Sequence, residues 1–286
     1  MIENRLSLTR LEAFAESDIV VPKIVSGHDL DLRSYSRFKY GGGAQAIEMG
    51  RLLADRFIET VECDGRDLWV SSSGYKVAPP AARSLQGPFV SRLRESLKAK
   101  QISEFRIDRA NLTDGDYATK PLEERIAIMR NNGLSIAGSP DLHGQEVVVL
   151  DDIRVTGSHE SMISELLRLS GVGIVHHVYL IDVVNGTEYP QVEAAINAMG
   201  FEGISHTLLD VATSDDFIPN ARFCKAAVQC PPEDQDILIS QVSTGDLQRI
   251  IQYIRGDSLV GSDYFVRKAN DELNNRSSEK ITEQKI

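Results

Sequence analysis

Cysteine is scarce in this chain: three in 286 residues, at 63, 224 and 230, with no CxxC spacing. That excludes a disulfide-stapled scaffold and fits reduced core thiols. Cys224 and Cys230 with His206 would make a thin metal set, and isolated buried thiols are the plainer reading. Long apolar runs are missing, since none approaches the ~20 residues of a membrane-spanning helix. Positive charge is in deficit, 31 Lys and Arg against 42 Asp and Glu, for a net charge of −11. Nucleic acid and anionic membranes both need clustered cations, so neither is an expected partner. A small anionic ligand held by backbone amides and a few cations stays open. The opening residues, MIENRLSLTRLEAFAE, are mixed and charged and do not read as a leader, so the expectation is a cytoplasmic protein.

What is present centres on Glu146–His159, EVVVLDDIRVTGSH. Val147 to Leu150 form a β-branched apolar run, the pattern of a strand buried on both faces of a parallel sheet. Asp151 and Asp152 then fall at its carboxyl end, where open α/β sheets bind ligands. A turn with Thr156, Gly157 and Ser158 leads into an amphipathic helix marked by Met162, Ile163, Leu166 and Leu167. Amides at a helix N-terminus form an anion site, and the glycine permits close approach of a phosphate. Two carboxylates beside a phosphate cradle suit a sugar phosphate with vicinal hydroxyls, held with Mg²⁺. The plain alternative is a generic strand–turn–helix with an acidic entry.

A second stretch, Asp67–Ala82, reads as a strand at Leu68–Val70, a polar loop at Ser71–Lys76, and a helix opening at Pro79–Pro80. Such a Ser-rich loop with one glycine and one lysine can present amides and a cation to a diphosphate. Elsewhere, Leu8, Leu11 and Phe14 suggest a short helix, followed by an extended segment IVVPKIV. Gly41–Gly43 precede a helix carrying Ile47, Leu52, Leu53, Phe57 and Val61; Arg37 and Lys39 beside them are best read as a solvated turn. A helix over 79–99 follows. Asp114, Gly115 and Asp116 read as a flexible turn, and Pro121 then opens a helix over Glu123–Arg130. GIVHHVYLIDVV reads as a core strand in which His176 and His177 face opposite sides. The helix YPQVEAAINAMGF ends at Gly200, and ISHTLLDVA is strand-like. This alternation predicts an α/β protein with a mostly parallel, doubly wound sheet. Beyond Thr213 the pattern turns helical, with helices over Asp234–Val242 and Thr244–Arg255, and the final NNRSSEKITEQKI is polar enough for disorder.

The LDDIRVTGSH block resembles the signature of the type I phosphoribosyltransferases: four hydrophobics, two acids, two further positions, then a Thr/Gly turn. SGYKVAP is similar to the pyrophosphate loop of the orotate phosphoribosyltransferases. With YSRFKYGGG and SSSGYKVAPPAA, the likeness extends to bacterial phosphoribosyltransferase-like proteins found with tellurite- or stress-resistance genes, over roughly residues 35–215. The resemblance implies that Asp151 and Asp152 hold the ribose hydroxyls of phosphoribosyl pyrophosphate and, mostly indirectly, Mg²⁺. It implies that Val155, Thr156, Gly157, Ser158 and His159 wrap the 5′-phosphate. Ser73, Gly74, Tyr75 and Lys76 would contact the pyrophosphate, with a strained peptide near Gly74. A flexible hairpin would close over the site, with Arg106, Arg109 and Lys120 as candidate cations. Three positions depart from the pattern: Arg154 replaces an apolar residue, Val155 an acidic general base, and His159 a Thr or Ser.

The resemblance divides the chain into an N-terminal arm (1–34), a phosphoribosyltransferase core (35–213) and a helical extension (214–286), with the hood over the acceptor supplied by the extension, the arm or both. Asp215, Asp216, Phe217 and Arg222 stand where an acceptor could be stacked and hydrogen-bonded. The implied enzyme, a homodimer on the same resemblance, moves the phosphoribosyl group to a nitrogenous base, or runs the reverse pyrophosphorolysis of a nucleoside monophosphate. With no general base to name, an already anionic acceptor fits better than a purine. The alternative is a non-catalytic sensor that keeps the ligand pocket and regulates a partner.

Overall fold

The computed structural model describes residues 1–17, 19–62, 67–97, 101–109, 133–199 and 204–283. Cys63, Asp114, Gly115, Asp116, Lys120, the helix expected over Glu123–Arg130 and Gly200 lie outside them. Strands β1 (Ile2–Glu16) and β2 (Ile19–Gly27) open the chain, followed by helices α1 (Leu32–Lys39) and α2 (Gly43–Thr60). Next come β3 (Leu68–Ser72), α3 (Ala82–Ser96), β4 (Ile102–Glu104), β5 (Ile107–Arg109) and β6 (Leu134–Ile136). The central unit is β7 (Glu146–Arg154), α4 (Ser158–Leu169) and β8 (Ile174–Val183). Helices α5 (Val192–Asn197), α6 (Ile204–Ala212), α7 (Ala221–Gln229), α8 (Pro232–Gln241), α9 (Thr244–Gly256) and α10 (Asp263–Glu283) complete it.

Six strands form one sheet in the order β2-β1-β8-β7-β3-β4, parallel except for the antiparallel β1–β2 pair. β7 lies between β8 and β3, and its apolar run is buried on both faces as expected. Val148 and Leu150 join the layer of α1, α2 and α3. Val147 and Val149 meet Ile163, Leu166 and Leu167 of α4 on the other side. The result is an α/β sheet with helices on both faces, and the carboxyl ends of β7 and β3 point to one rim.

Three local expectations are corrected. The helix expected at Leu8–Phe14 is part of β1, which pairs with β8 inside the sheet. Leu6 and Leu8, then Leu11 and Ala13, are buried as two alternating pairs offset by one residue. The resulting three-residue gap mimics helical spacing, and the register against β2 shifts between Arg10 and Leu11. ISHTLLDVA is the helix α6, with Leu208, Val211 and Ala212 buried at helical spacing; a short apolar run is ambiguous by period alone. The polar C-terminal stretch is helical to Glu283 as part of α10.

The C-terminal helices have a core of their own, with Leu208, Phe223, Leu238, Leu247, Ile250 and Phe265. No helix was expected at α7, whereas α9 begins at Thr244 as expected and is capped by Ser243, whose Oγ accepts from the Asp246 amide at 3.2 Å. Cys224 and Cys230 are free and buried, and burial pushes the Cys224 thiol up to about 12. No helix among the described residues is long and apolar enough to cross a membrane.

Candidate active site

The two acids at the end of β7 differ sharply in surroundings. Asp152 is buried, and its Oδ2 accepts from Lys39 Nζ at 2.5 Å while its Oδ1 accepts from the Ile153 amide at 2.8 Å. Lys39 ends α1, is itself buried, and also donates to Glu193 Oε1 at 3.1 Å. Arg222 of α7 reaches the same Glu193 oxygen at 2.7 Å. Burial and the neighbouring carboxylates of Asp151 and Glu193 lift Asp152 above the usual range despite Lys39. Burial works against the Lys39 charge, but Asp152 and Glu193 outweigh it and hold the ammonium above its ordinary pKa. Asp151 is the more open acid. Its Oδ1 accepts from Ser73 Oγ at 3.1 Å and the Asp152 amide at 3.0 Å; Oδ2 accepts from His159 Nδ1 at 3.1 Å. Burial pushes Asp151 up, and the His159 contact more than offsets it, leaving the carboxyl below its ordinary range.

Beyond the acids, Gly157 takes φ +78°, a left-handed conformation that favours glycine, and α4 begins at once. A Cβ there would also stand 2.8 Å from Arg154 Nη2, so this guanidinium lies directly against the turn. First-turn amides of a helix lack intrahelical acceptors and carry the positive end of its dipole. Thr156 Oγ1 and Ser158 Oγ, both exposed, lie 3.1 Å apart. Arg154 pairs with Asp182 at 3.0 Å and Glu160 at 3.2 Å. Glu160 also accepts from Tyr179 Oη at 2.8 Å and from Arg5. Asp151, Asp152, Arg154, Thr156, Gly157 and His159 thus line one cleft of about 240 Å³. The second ring nitrogen of His159, Nε2, has no hydrogen-bond partner among the described residues.

The loop after β3 sits beside this cleft. Ser73 donates its amide to Leu150 O at 3.0 Å, which ties the loop to β7. Tyr75 bridges to β5: its amide donates to Ile107 O at 3.3 Å, and its carbonyl accepts from the Arg109 amide at 3.0 Å. Gly74 is not in the left-handed region. Glycine is required for space instead, since a Cβ would meet Ile107 Cγ2 at 2.9 Å. Arg106 stacks over the Tyr75 ring at 4.1 Å, donates to Lys76 O at 2.6 Å and pairs with Asp108 at 2.7 Å. Its guanidinium is therefore committed to the loop. Lys76 is exposed and lines a second cleft with Gly74, Tyr75 and Arg109.

The fold thus brings Ser73, Asp152 and His159 each into contact with Asp151, with Val155, Thr156, Gly157 and Ser158 forming the adjoining turn. Several functional neighbours were missed. Lys39 is not in a solvated turn but beneath Asp152, and Arg37 pairs with Asp210. Glu193 stands in a helix whose pattern gave no sign of it. Of the residues considered for an acceptor, Phe217 is buried against Phe223 with centroids 4.7 Å apart, Asp216 accepts from the Ala44 amide, and Arg222 holds Glu193. His176 and His177 do face opposite ways, to Glu146 at 2.8 Å and Ser164 at 2.8 Å. Among the described residues no group of three or more His, Cys, Asp or Glu is placed to hold a metal.

A hypoxanthine phosphoribosyltransferase structure from Staphylococcus aureus aligns at 16% identity and TM-score 0.33, over 50% of this chain and 65% of that one. A hypoxanthine-guanine phosphoribosyltransferase from Bacillus anthracis aligns at 12% identity and TM-score 0.33, over 50% of this chain and 71% of that one. The chain thus spans less than two thirds of the staphylococcal protein's length. No curated protein sequence matches. Residues 25–268 match the family model described as PRTase ComF-like, which takes in the end of β2, the acids, both loops and most of the C-terminal helices. The chain belongs to the ComF-like family of phosphoribosyltransferases.

Proposed function

We propose that this chain binds phosphoribosyl pyrophosphate with Mg²⁺ and transfers the phosphoribosyl group to a nitrogenous base, or runs the reverse reaction on a nucleoside monophosphate. The observation that carries the reading is the 3.1 Å contact between Ser73 Oγ and Asp151, which sets the diphosphate loop against the ribose acids and the phosphate turn. Asp151 takes the ribose hydroxyls, because it is the more open of the two acids, whereas Asp152 is buried and ion-paired with Lys39. Asp152 and Lys39 act from behind, fixing the end of β7. The amides of the Val155–His159 turn, with Thr156 and Ser158, hold the 5′-phosphate, and Arg154 beneath Gly157 adds positive charge. Lys76 and Arg109 face the diphosphate, and Arg106 keeps Tyr75 and Lys76 in place.

Magnesium fits this donor set in one way. Hard carboxylate oxygen is present at Asp151, but no multidentate protein cage surrounds it, so the ion would be held chiefly by ligand oxygens and water. When bound it would neutralise charge on the departing diphosphate. At the anomeric carbon, the bond to the diphosphate oxygen breaks and a bond to the acceptor nitrogen forms, and an acceptor N–H proton passes to the departing diphosphate or to water. The protein positions both groups and stabilises the developing charge.

A sensor that binds without turnover is the second reading, favoured by the commitment of Asp152 to Lys39 and of Arg106 to the loop. Pyrophosphate release, measured with Mg²⁺ over a panel of purine, pyrimidine and pyridine bases, separates the two. Base-dependent release establishes the transferase. Tight binding with no release for any base supports the sensor, and no binding removes both.

A further inference from the structure

A second cleft, of about 400 Å³, opens between the diphosphate loop and the C-terminal helices. Its walls are Gly74, Tyr75, Ala78 and Pro80 on the loop side, and Ala221, Lys225, Asp257 and Leu259 on the helical side. The two sides are fixed to each other. Asp257, the residue capping α9, accepts from the Val77 amide at 3.0 Å and the Ala78 amide at 3.2 Å. The Ala221 amide at the start of α7 donates to Pro79 O at 2.8 Å.

The charge in this cleft runs against that of the molecule. Lys76, Arg109 and Lys225 line it in a chain of net charge −11. Its carboxylate, Asp257, already has both oxygens on backbone amides. Lys76 and Lys225 are exposed and make no ion pair with a described carboxylate. Around the cations the lining is apolar and aromatic, and the volume suits a ring-sized molecule. Lys76 and Arg109 sit on the loop and strand that carry the diphosphate reading; Lys225 faces them from the opposite wall, on α7.

We infer that this cleft binds the acceptor, that the acceptor is a planar heterocycle bearing an anionic substituent such as a carboxylate, and that Lys225 recognises that charge. The inference rests on the phosphoribosyl transfer proposed above and names its acceptor class. The apolar walls hold the ring, and the ammonium of Lys225 selects the charged member of a pair of otherwise similar rings.

Calorimetric titration of the full chain with two matched pairs tests this: uracil-6-carboxylate against uracil, and pyridine-3-carboxylate against pyridine-3-carboxamide. The carboxylated member of at least one pair is expected to bind about tenfold or more tightly than its neutral partner. Lys225→Gln, at an exposed site, abolishes that preference, and Lys225→Arg restores it. No preference in either pair, or a preference that survives Lys225→Gln, overturns the inference. Phosphoribosyl pyrophosphate is titrated separately onto both proteins. Affinity unchanged within about twofold in Lys225→Gln supports the assignment to the acceptor. Lost donor affinity with retained heterocycle binding assigns Lys225 to the diphosphate and overturns it. If the wild-type chain binds no phosphoribosyl pyrophosphate, the transfer reading fails, and the carboxylate pairs still decide whether the cleft selects an anionic ring.

Discussion

Lys39 brings one positive charge into a buried group with Asp152 and Glu193, and the arrangement makes the residue more than a surface lysine. Replacing it by Met leaves both carboxylates without their cation. Removing one partner of a buried pair costs ~3–5 kcal/mol, so Lys39→Met should lower the urea midpoint clearly at neutral pH. The loss should shrink as pH falls and the orphaned carboxyls take up protons; an unchanged midpoint at pH 7 would contradict the pairing. His177 gives a second pH test. Burial holds it at about 4, against about 6.5 for an unfolded histidine. Because the folded value is the lower one, its stabilising contribution is complete above pH 6.5. It is lost as pH falls toward 4, by roughly 3 kcal/mol in all. His177→Gln should flatten the stability profile between those pH values. An equally steep profile in the variant would assign the slope to other groups.

At the scale of elements, the turn between β7 and α4 and the loop after β3 set the site. Gly157→Ala imposes a left-handed conformation on an L residue, at ~1–2 kcal/mol, and drives a methyl toward Arg154. The expected outcome is a folded protein with weakened binding of ribose 5-phosphate, read by calorimetry; unchanged affinity would remove the turn from the phosphate site. Asp257→Ala should free the Val77 and Ala78 amides, lowering stability by ~1–3 kcal/mol and loosening the diphosphate loop, seen as faster amide exchange there. Much of this was legible in sequence because it is local. The run EVVVLDDIRVTGSH encodes a strand, an acid pair and a glycine turn in consecutive residues, and all three form as read. What could not be read depends on distant partners. Lys39 and Asp152 are 113 residues apart, and a lysine beside three glycines looks solvent-facing until α1 packs under β7. β1 was hidden by the offset in its buried pairs, and α6 by its strand-like composition.

For the whole molecule, the first strands are not an accessory to the sheet. β1 pairs along β8 and carries Leu6, Leu8 and Leu11 into the main core, so the segment expected as an arm supports the strand next to the acids. Likewise, the helical extension reaches the site through Arg222 and Asp257, and it forms one wall of the cationic cleft. An acidic chain that gathers Lys76, Arg109 and Lys225 around one cleft is suited there to a small anionic ligand, and at the acids themselves Arg154 and the first-turn amides of α4 are the local positive groups. The central claim is that Asp151 holds the ribose of a phosphoribosyl ligand. Titration of phosphoribosyl pyrophosphate with Mg²⁺ onto wild-type protein and Asp151→Asn tests it most directly, because Asp152, which supports Lys39, is left intact. Saturable binding by the wild type, and its loss in a variant with unchanged circular dichroism and unfolding midpoint, is the predicted result. Equal affinity in the two proteins would contradict the account.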